Sequence, residues 1–156
     1  MRGRLRPEEV ATLLKTLSVG GLALMALALA GLILRDSLFS LEPVVIGVQS
    51  AAVALMIWAR AVFGRRSFHA TANPTAGGLV TTGPYRFIRH PIYAAACFFG
   101  WAGVASHWSA VSGQLGVLLL IGALVRMLCE ERLIAGQYPE YREYARVTKR
   151  IVPYLF

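Results

Sequence analysis

The sequence predicts an all-α fold: a polytopic membrane bundle of about four transmembrane helices followed by a helical C-terminal tail. Three observations predict it. Hydrophobic residues make up 56% of the 156-residue chain and charged residues only 15%, fewer charges than a soluble domain of this length carries. The apolar residues fall in runs of about twenty, the length that crosses a hydrocarbon core. The charges collect in the gaps between those runs. One domain, residues 1–156, accounts for the length.

The chain opens with Arg2, Arg4 and Arg6, then Pro7-Glu8-Glu9. Proline followed by two acids reads as a helix start, placed on the membrane surface ahead of the first span. Residues 17–34 form that span. Lys15 is the one charge between Ala11 and Leu34, and Gly20-Gly21 with the alanine-rich middle allow close helix packing. Arg35-Asp36-Ser37 closes it. The second span covers 44–63 and ends at Arg60 and Gly64-Arg65-Arg66. Its polar residues, Gln49 and Ser50, suit hydrogen bonds to a neighbouring helix.

Residues 67–89 make the longest polar connection. His69, Asn73-Pro74, Gly77-Gly78 and Gly83-Pro84 supply its turn signals, and a connection of this length is functional or disordered. Its glycines, tyrosine, histidine and apolar residues favour the first. Pro91 opens the third span, 91–107, as an N-terminal helix proline. That span is short for a full crossing, so it tilts or ends inside the interface. Trp101 and Trp108 fit the interfacial aromatic belt, and His107 reads as a solvated turn residue. The fourth span, 110–128, is interrupted by Ser112, Gln114 and Arg126. A charged, tyrosine-rich tail follows. Tyr138, Tyr141 and Tyr144 stand three apart, close to one helix face, which suits packing on the bundle.

The net charge is +8. Arg35 alone lies in the first connector, and the connector near His107 has no Lys or Arg. The other basic residues lie on the opposite side or at its edge. The positive-inside rule therefore places both termini and the 64–90 loop in the cytoplasm, at an inner or cytoplasmic membrane. Arginines that flank apolar runs do not form a nucleic-acid stripe. Cys97 and Cys129 lie in or at the end of spans, without disulfide or metal spacing. No cleavable signal is expected, because the first apolar run is longer than a signal core and no cleavage site precedes Arg35.

The chain is organised around Gly83-Pro84-Tyr85-Arg86-Phe87-Ile88-Arg89-His90-Pro91-Ile92-Tyr93. Two arginines and a histidine at a helix start oppose the macrodipole. Either they mark a cytoplasmic flank or they serve a site. A second block runs from Arg126 through Glu130-Glu131 to Tyr144. Arg126 and Glu130 are four apart and share a helix face. An arginine just inside an apolar helix faces a cavity or partner, or else it pairs within the helix or snorkels to the interface. No phosphate loop or GxGxxG pattern is present.

The first block, Thr81 to Tyr93, follows T-x-G-x-Y-x-x-x-R-H-P-x-Y. With the second block at 126–144, it resembles the isoprenylcysteine carboxyl methyltransferase family and, more loosely, the phospholipid methyltransferases of the same membrane superfamily. The chain looks like a short bacterial-type member, with fewer N-terminal spans than the eukaryotic enzymes. The resemblance implies S-adenosyl-L-methionine as cofactor, bound by a cytoplasmic loop and the next helix start: Gly77, Gly78, Leu79, Val80, Tyr85, His90, Pro91, Ile92 and Tyr93. It implies Arg126 on the acceptor and Glu130 beside it as catalytic residues. The acceptor implied is a carboxylate on an apolar, lipidic or prenylated molecule in the bilayer. Phospholipid or other lipid N- or S-methylation, and a non-catalytic lipid- or partner-binding role, are the competing expectations.

Overall fold

The computed structural model describes residues 6–64 and 78–153. Five α-helices lie among them: α1 Pro7–Leu34, α2 Pro43–Phe63, α3 Pro91–Ser106, α4 Ala110–Gln137 and α5 Tyr141–Val147, with a 3-10 turn at Gly83–Arg86 before α3. No strand is present among the described residues, only an isolated parallel bridge between Ile88 and Lys149.

Three helices, α1, α2 and α4, are long and apolar enough to cross a membrane, and α3 is a shorter apolar helix. At 1.5 Å per residue, the 28 residues of α1 and of α4 reach about 42 Å, past a core of about 30 Å. The 16 residues of α3 reach about 24 Å. α1 begins at Pro7 rather than as a separate surface helix. Glu9 accepts the Arg6 N–H at 2.8 Å and caps it, so the backbone stays helical through the charged stretch into the apolar one. Likewise α4 continues to Gln137, carrying Glu130 and Glu131 on one rigid rod with the apolar span.

α1 packs most extensively on α4, and α2 on α3, while α3 joins the two pairs through its contact with α4. The buried stripe of α1 is Leu14, Ser18, Gly21, Met25, Ala28 and Leu32, alternating steps of four and three, which is one helix face. Against it α4 sets Gly122: a Cβ there would lie 2.7 Å from the Gly21 carbonyl oxygen, and one at Gly21 would lie 2.8 Å from that of Gly122. The two backbones are therefore in direct contact, as small-residue membrane interfaces allow. Met25, Ala28, Cys97, Leu119, Ala123 and Met127 form the core where α1, α3 and α4 meet. Both cysteines are buried and free.

Large apolar side chains on the outer faces, such as Leu27 at 68% and Ile57 at 63% exposed, are what a bilayer-facing surface requires. Gln49 donates to the Leu38 carbonyl at 2.7 Å and the Phe99 carbonyl at 3.2 Å, tying α2 to the first connector and to α3. Ser109 caps α4 by accepting the Ser112 N–H at 3.1 Å. Trp108 is exposed and Trp101 half-buried.

Candidate functional site

Pro84 and Pro91 punctuate the segment that carries the first block. Pro84 sits in the 3-10 turn and Pro91 at the first position of α3, where its missing N–H costs no helix bond. Gly83 adopts φ 60°, and a Cβ there would meet Val62 at 2.7 Å. Glycine is therefore required both for the turn and for its close approach to α2. These constraints deliver His90, the residue before α3, at the end of the apolar bundle, where it is buried.

Three elements converge there. Arg126 on α4 is buried at 4% exposure. Its Nε donates to the Tyr93 hydroxyl at 2.6 Å, its Nη2 to Glu130 Oε1 at 3.3 Å, and its Nη1 to the Ser18 carbonyl of α1 at 3.4 Å. The Tyr93 hydroxyl in turn donates to Glu130 Oε1. The guanidinium lies 5.7 Å from the Tyr93 ring centroid, within cation–π range. Arg126 thus forms the expected intrahelical pair, but it turns inward to α1 and α3 instead of snorkelling outward. His90 stands beside this cluster: its Nδ1 is 3.9 Å from Glu130 Oε2 and its ring centroid 5.8 Å from that of Tyr93.

The residues expected from the sequence divide by position. Arg126, Glu130, Tyr93 and His90 come together. Pro91 is wholly buried packing at the base of α3 and Ile92 is half-buried next to it. Tyr85 is buried, with its ring 5.5 Å from Phe63 and its carbonyl accepting from the Tyr144 hydroxyl at 2.6 Å. Burial first, and then the nearby Tyr144 and Glu130, raise its phenol above the usual range, so it stays protonated. Gly78 adopts φ 84°, open only to glycine at little cost, with Leu79 and Val80 half-buried after it. Gly77 lies outside the described residues.

Other polar groups join the site without having been singled out. Glu131 accepts from Arg89 Nε at 3.1 Å, from Arg150 Nη2 at 3.0 Å and faces His90 Nε2 at 3.2 Å. The Arg89 and His90 N–H groups donate to the carbonyls of Lys149 at 2.7 Å and Arg150 at 2.9 Å, so the C-terminal segment pairs with the first block. Burial pushes the Tyr144 phenol up to about 12, which keeps it a donor to Tyr85. Ser18, wholly buried, has a hydroxyl with no hydrogen-bond partner among the described residues. The signals for Arg89 and Glu131 were present, since one lies in the first block and the other adjoins Glu130. Ser18 carried none.

Buried donors and acceptors of both charges at the end of an apolar bundle suit binding a polar ligand beside a lipid phase. A family model described as phospholipid methyltransferase matches residues 39–141. The chain belongs to the phospholipid methyltransferase family. The matched region holds the whole first block and most of the second. This family member is also similar to the nickel-cobalt-cadmium resistance protein NccN of Alcaligenes xylosoxydans xylosoxydans, at 32% identity over 114 residues, covering 70% of this chain and 48% of that protein. The cobalt-zinc-cadmium resistance protein CzcN of Cupriavidus metallidurans is 32% identical over 114 residues, with 70% and 47% covered. The chain spans about half the length of the curated relatives it matches. No solved structure matches it. Among the described residues, no group of three or more His, Cys, Asp and Glu side chains is arranged to hold a metal ion.

Proposed function

We propose that the chain is an S-adenosyl-L-methionine-dependent methyltransferase acting on a carboxylate of a lipidic or prenylated acceptor at the cytoplasmic membrane face. The observation that carries this reading is the buried Tyr93–Arg126–Glu130 cluster with His90 beside it, which unites both sequence blocks. The side chains fit the cofactor's chemistry. Glu130, 21% exposed in its side chain, suits its ammonium, and the Tyr93 ring suits a cation. The orphaned Ser18 hydroxyl offers a further polar contact beside Arg126.

When bound, S-adenosyl-L-methionine supplies an electrophilic methyl group on a sulfonium. An acceptor carboxylate is already ionised at neutral pH and needs no general base. Arg126 binds that carboxylate, bidentately if it releases Glu130. Exchange of one carboxylate for another keeps the buried guanidinium paired, so its desolvation is not left uncompensated. Glu130 then turns to the cofactor's ammonium. Tyr93 holds the Arg126 Nε, and His90 presents a ring nitrogen to the same space. The contribution to rate is positioning and exclusion of water. The acceptor reaches the cluster sideways from the bilayer, with both termini and the 64–90 loop cytoplasmic.

A second reading follows from the description of the matched family. There the acceptor is a phospholipid amine, and Glu130 binds the headgroup and takes its proton. A single assay separates the two. Proteoliposomes receive methyl-tritiated S-adenosyl-L-methionine with either a prenylcysteine acid or phosphatidylethanolamine. The proposal predicts label in the lipid fraction that base releases as methanol. Base-stable label supports the second reading. No transfer to either acceptor by folded protein overturns both.

A further inference from the structure

Glu131 has no role in the proposed reaction, yet it is the most heavily engaged carboxylate in the described chain. Its Oε1 faces Arg89 Nε at 3.1 Å, Arg150 Nε at 3.1 Å and His90 Nε2 at 3.2 Å, while its Oε2 takes Arg150 Nη2 at 3.0 Å. The Arg89 and Glu131 side chains are 9% and 13% exposed. Arg89 Nη1 also donates to the Ala145 carbonyl at 3.0 Å and to that of Thr148. The backbone pairing of 88–90 with 149–150 lies directly beside these contacts.

We infer that Glu131 is a positioning residue, fixing the tautomer of His90 and pinning the C-terminal segment 148–150 across the loop that carries it. The argument rests on donor and acceptor inventory. A carboxylate facing two guanidiniums can only accept, so the His90 nitrogen turned to it must carry the hydrogen. In the neutral ring this is Nε2–H, which leaves the Nδ1 lone pair on the side of Glu130 and Tyr93. The neutral ring therefore offers the site an acceptor, not a donor. Charge-assisted bonds are about twice as strong as neutral ones, so the arginines decide where the Glu131 oxygens stay. The consequence for cofactor binding rests on the function proposed above, whereas the tautomer and the pinned segment do not.

The test uses the 156-residue chain in detergent with His69 and His107 replaced by Gln, so that only His90 reports. Nitrogen-15 imidazole spectra of the neutral ring give the tautomer directly. In the parent, the expected form is Nε2–H alone. Because the Oε1 that faces His90 also faces both arginines, Glu131→Leu is the variant that removes the acceptor from Nε2; Glu130 is then the carboxylate left beside the ring, and Nδ1–H becomes the main neutral form. Glu131→Gln, with its amide oxygen in the place of Oε1 between the same donors, keeps Nε2–H. Retention of Nε2–H alone in Glu131→Leu would overturn the inference. Should Glu131→Leu fail to fold, Arg150→Gln carries the test through amide hydrogen exchange. There, Arg89 and His90 exchange faster by about tenfold or more, as expected for losing a bond to a charged group, and unchanged exchange overturns the pinning. Failure of the parent to bind S-adenosyl-L-methionine would sink the proposed function and leave these two readouts intact.

Discussion

At the scale of single residues, the proposed site is built around one phenol and one guanidinium. The Tyr93 hydroxyl accepts from Arg126 and donates to Glu130, so it sets the distance between a buried cation and its counter-ion. Tyr93→Phe removes that bridge while keeping the ring over the guanidinium. Hydrogen bonds to charged groups contribute about 1.5–3 kcal/mol, so methyl transfer should fall by roughly tenfold to a hundredfold. Arg126→Ala tests the proposed acceptor role. We expect turnover to drop about a hundredfold or more, with S-adenosyl-L-methionine affinity within a few-fold of wild type by titration. Unchanged turnover would remove Arg126 from the site. The identities of Arg126, Glu130, His90 and Tyr93 as a group were legible because each lies in one of two dense polar blocks beside an apolar run. Tyr85 shows the limit of that reasoning: its ring packs on Phe63, and a tyrosine's chemistry in sequence does not say which face is already occupied.

At the scale of elements, the α1–α4 contact holds the cluster together, since Arg126 reaches back to Ser18 across it. The Gly21–Gly122 approach leaves no room for a side chain, because the obstructing atoms are backbone carbonyl oxygens at 2.8 and 2.7 Å. Gly122→Val should therefore force the helices apart and destabilise the bundle by about 3 kcal/mol, the upper end for overpacking. Gly20, where a Cβ would meet nothing within 4 Å, is the control: Gly20→Ala should be neutral or stabilising by up to about 1 kcal/mol. Denaturant titration in detergent micelles distinguishes the two. Gln49→Leu should cost less, near the roughly 0.6 kcal/mol average for hydrogen bonds between membrane helices. The existence of α1 to α4 was readable from apolar runs. The start of α1 and the end of α4 were not, because Glu8, Glu9, Glu130 and Glu131 end the hydropathic signal while the backbone stays helical. The pairing of 88–90 with 149–150 was also beyond reach, since three residues form no period.

At the scale of the whole molecule, both blocks meet at one end of the bundle, and the C-terminal segment closes over the first block. The proposed orientation puts that end in the cytoplasm. Single cysteines at Glu140 and at Ser40, in a Cys97→Ala/Cys129→Ala background, test this with a membrane-impermeant maleimide on intact cells. Ser40 should label and Glu140 should not, and the reverse pattern would invert the topology. The central claim is that this end of the bundle binds S-adenosyl-L-methionine through the clustered side chains. Its most direct test is calorimetric titration of the cofactor into detergent-purified protein, with His90→Ala alongside. The account predicts saturable binding by wild type, weakened by about tenfold or more in His90→Ala, the loss expected for one hydrogen bond to a charged ligand group. Absence of binding by well-folded wild type would contradict it.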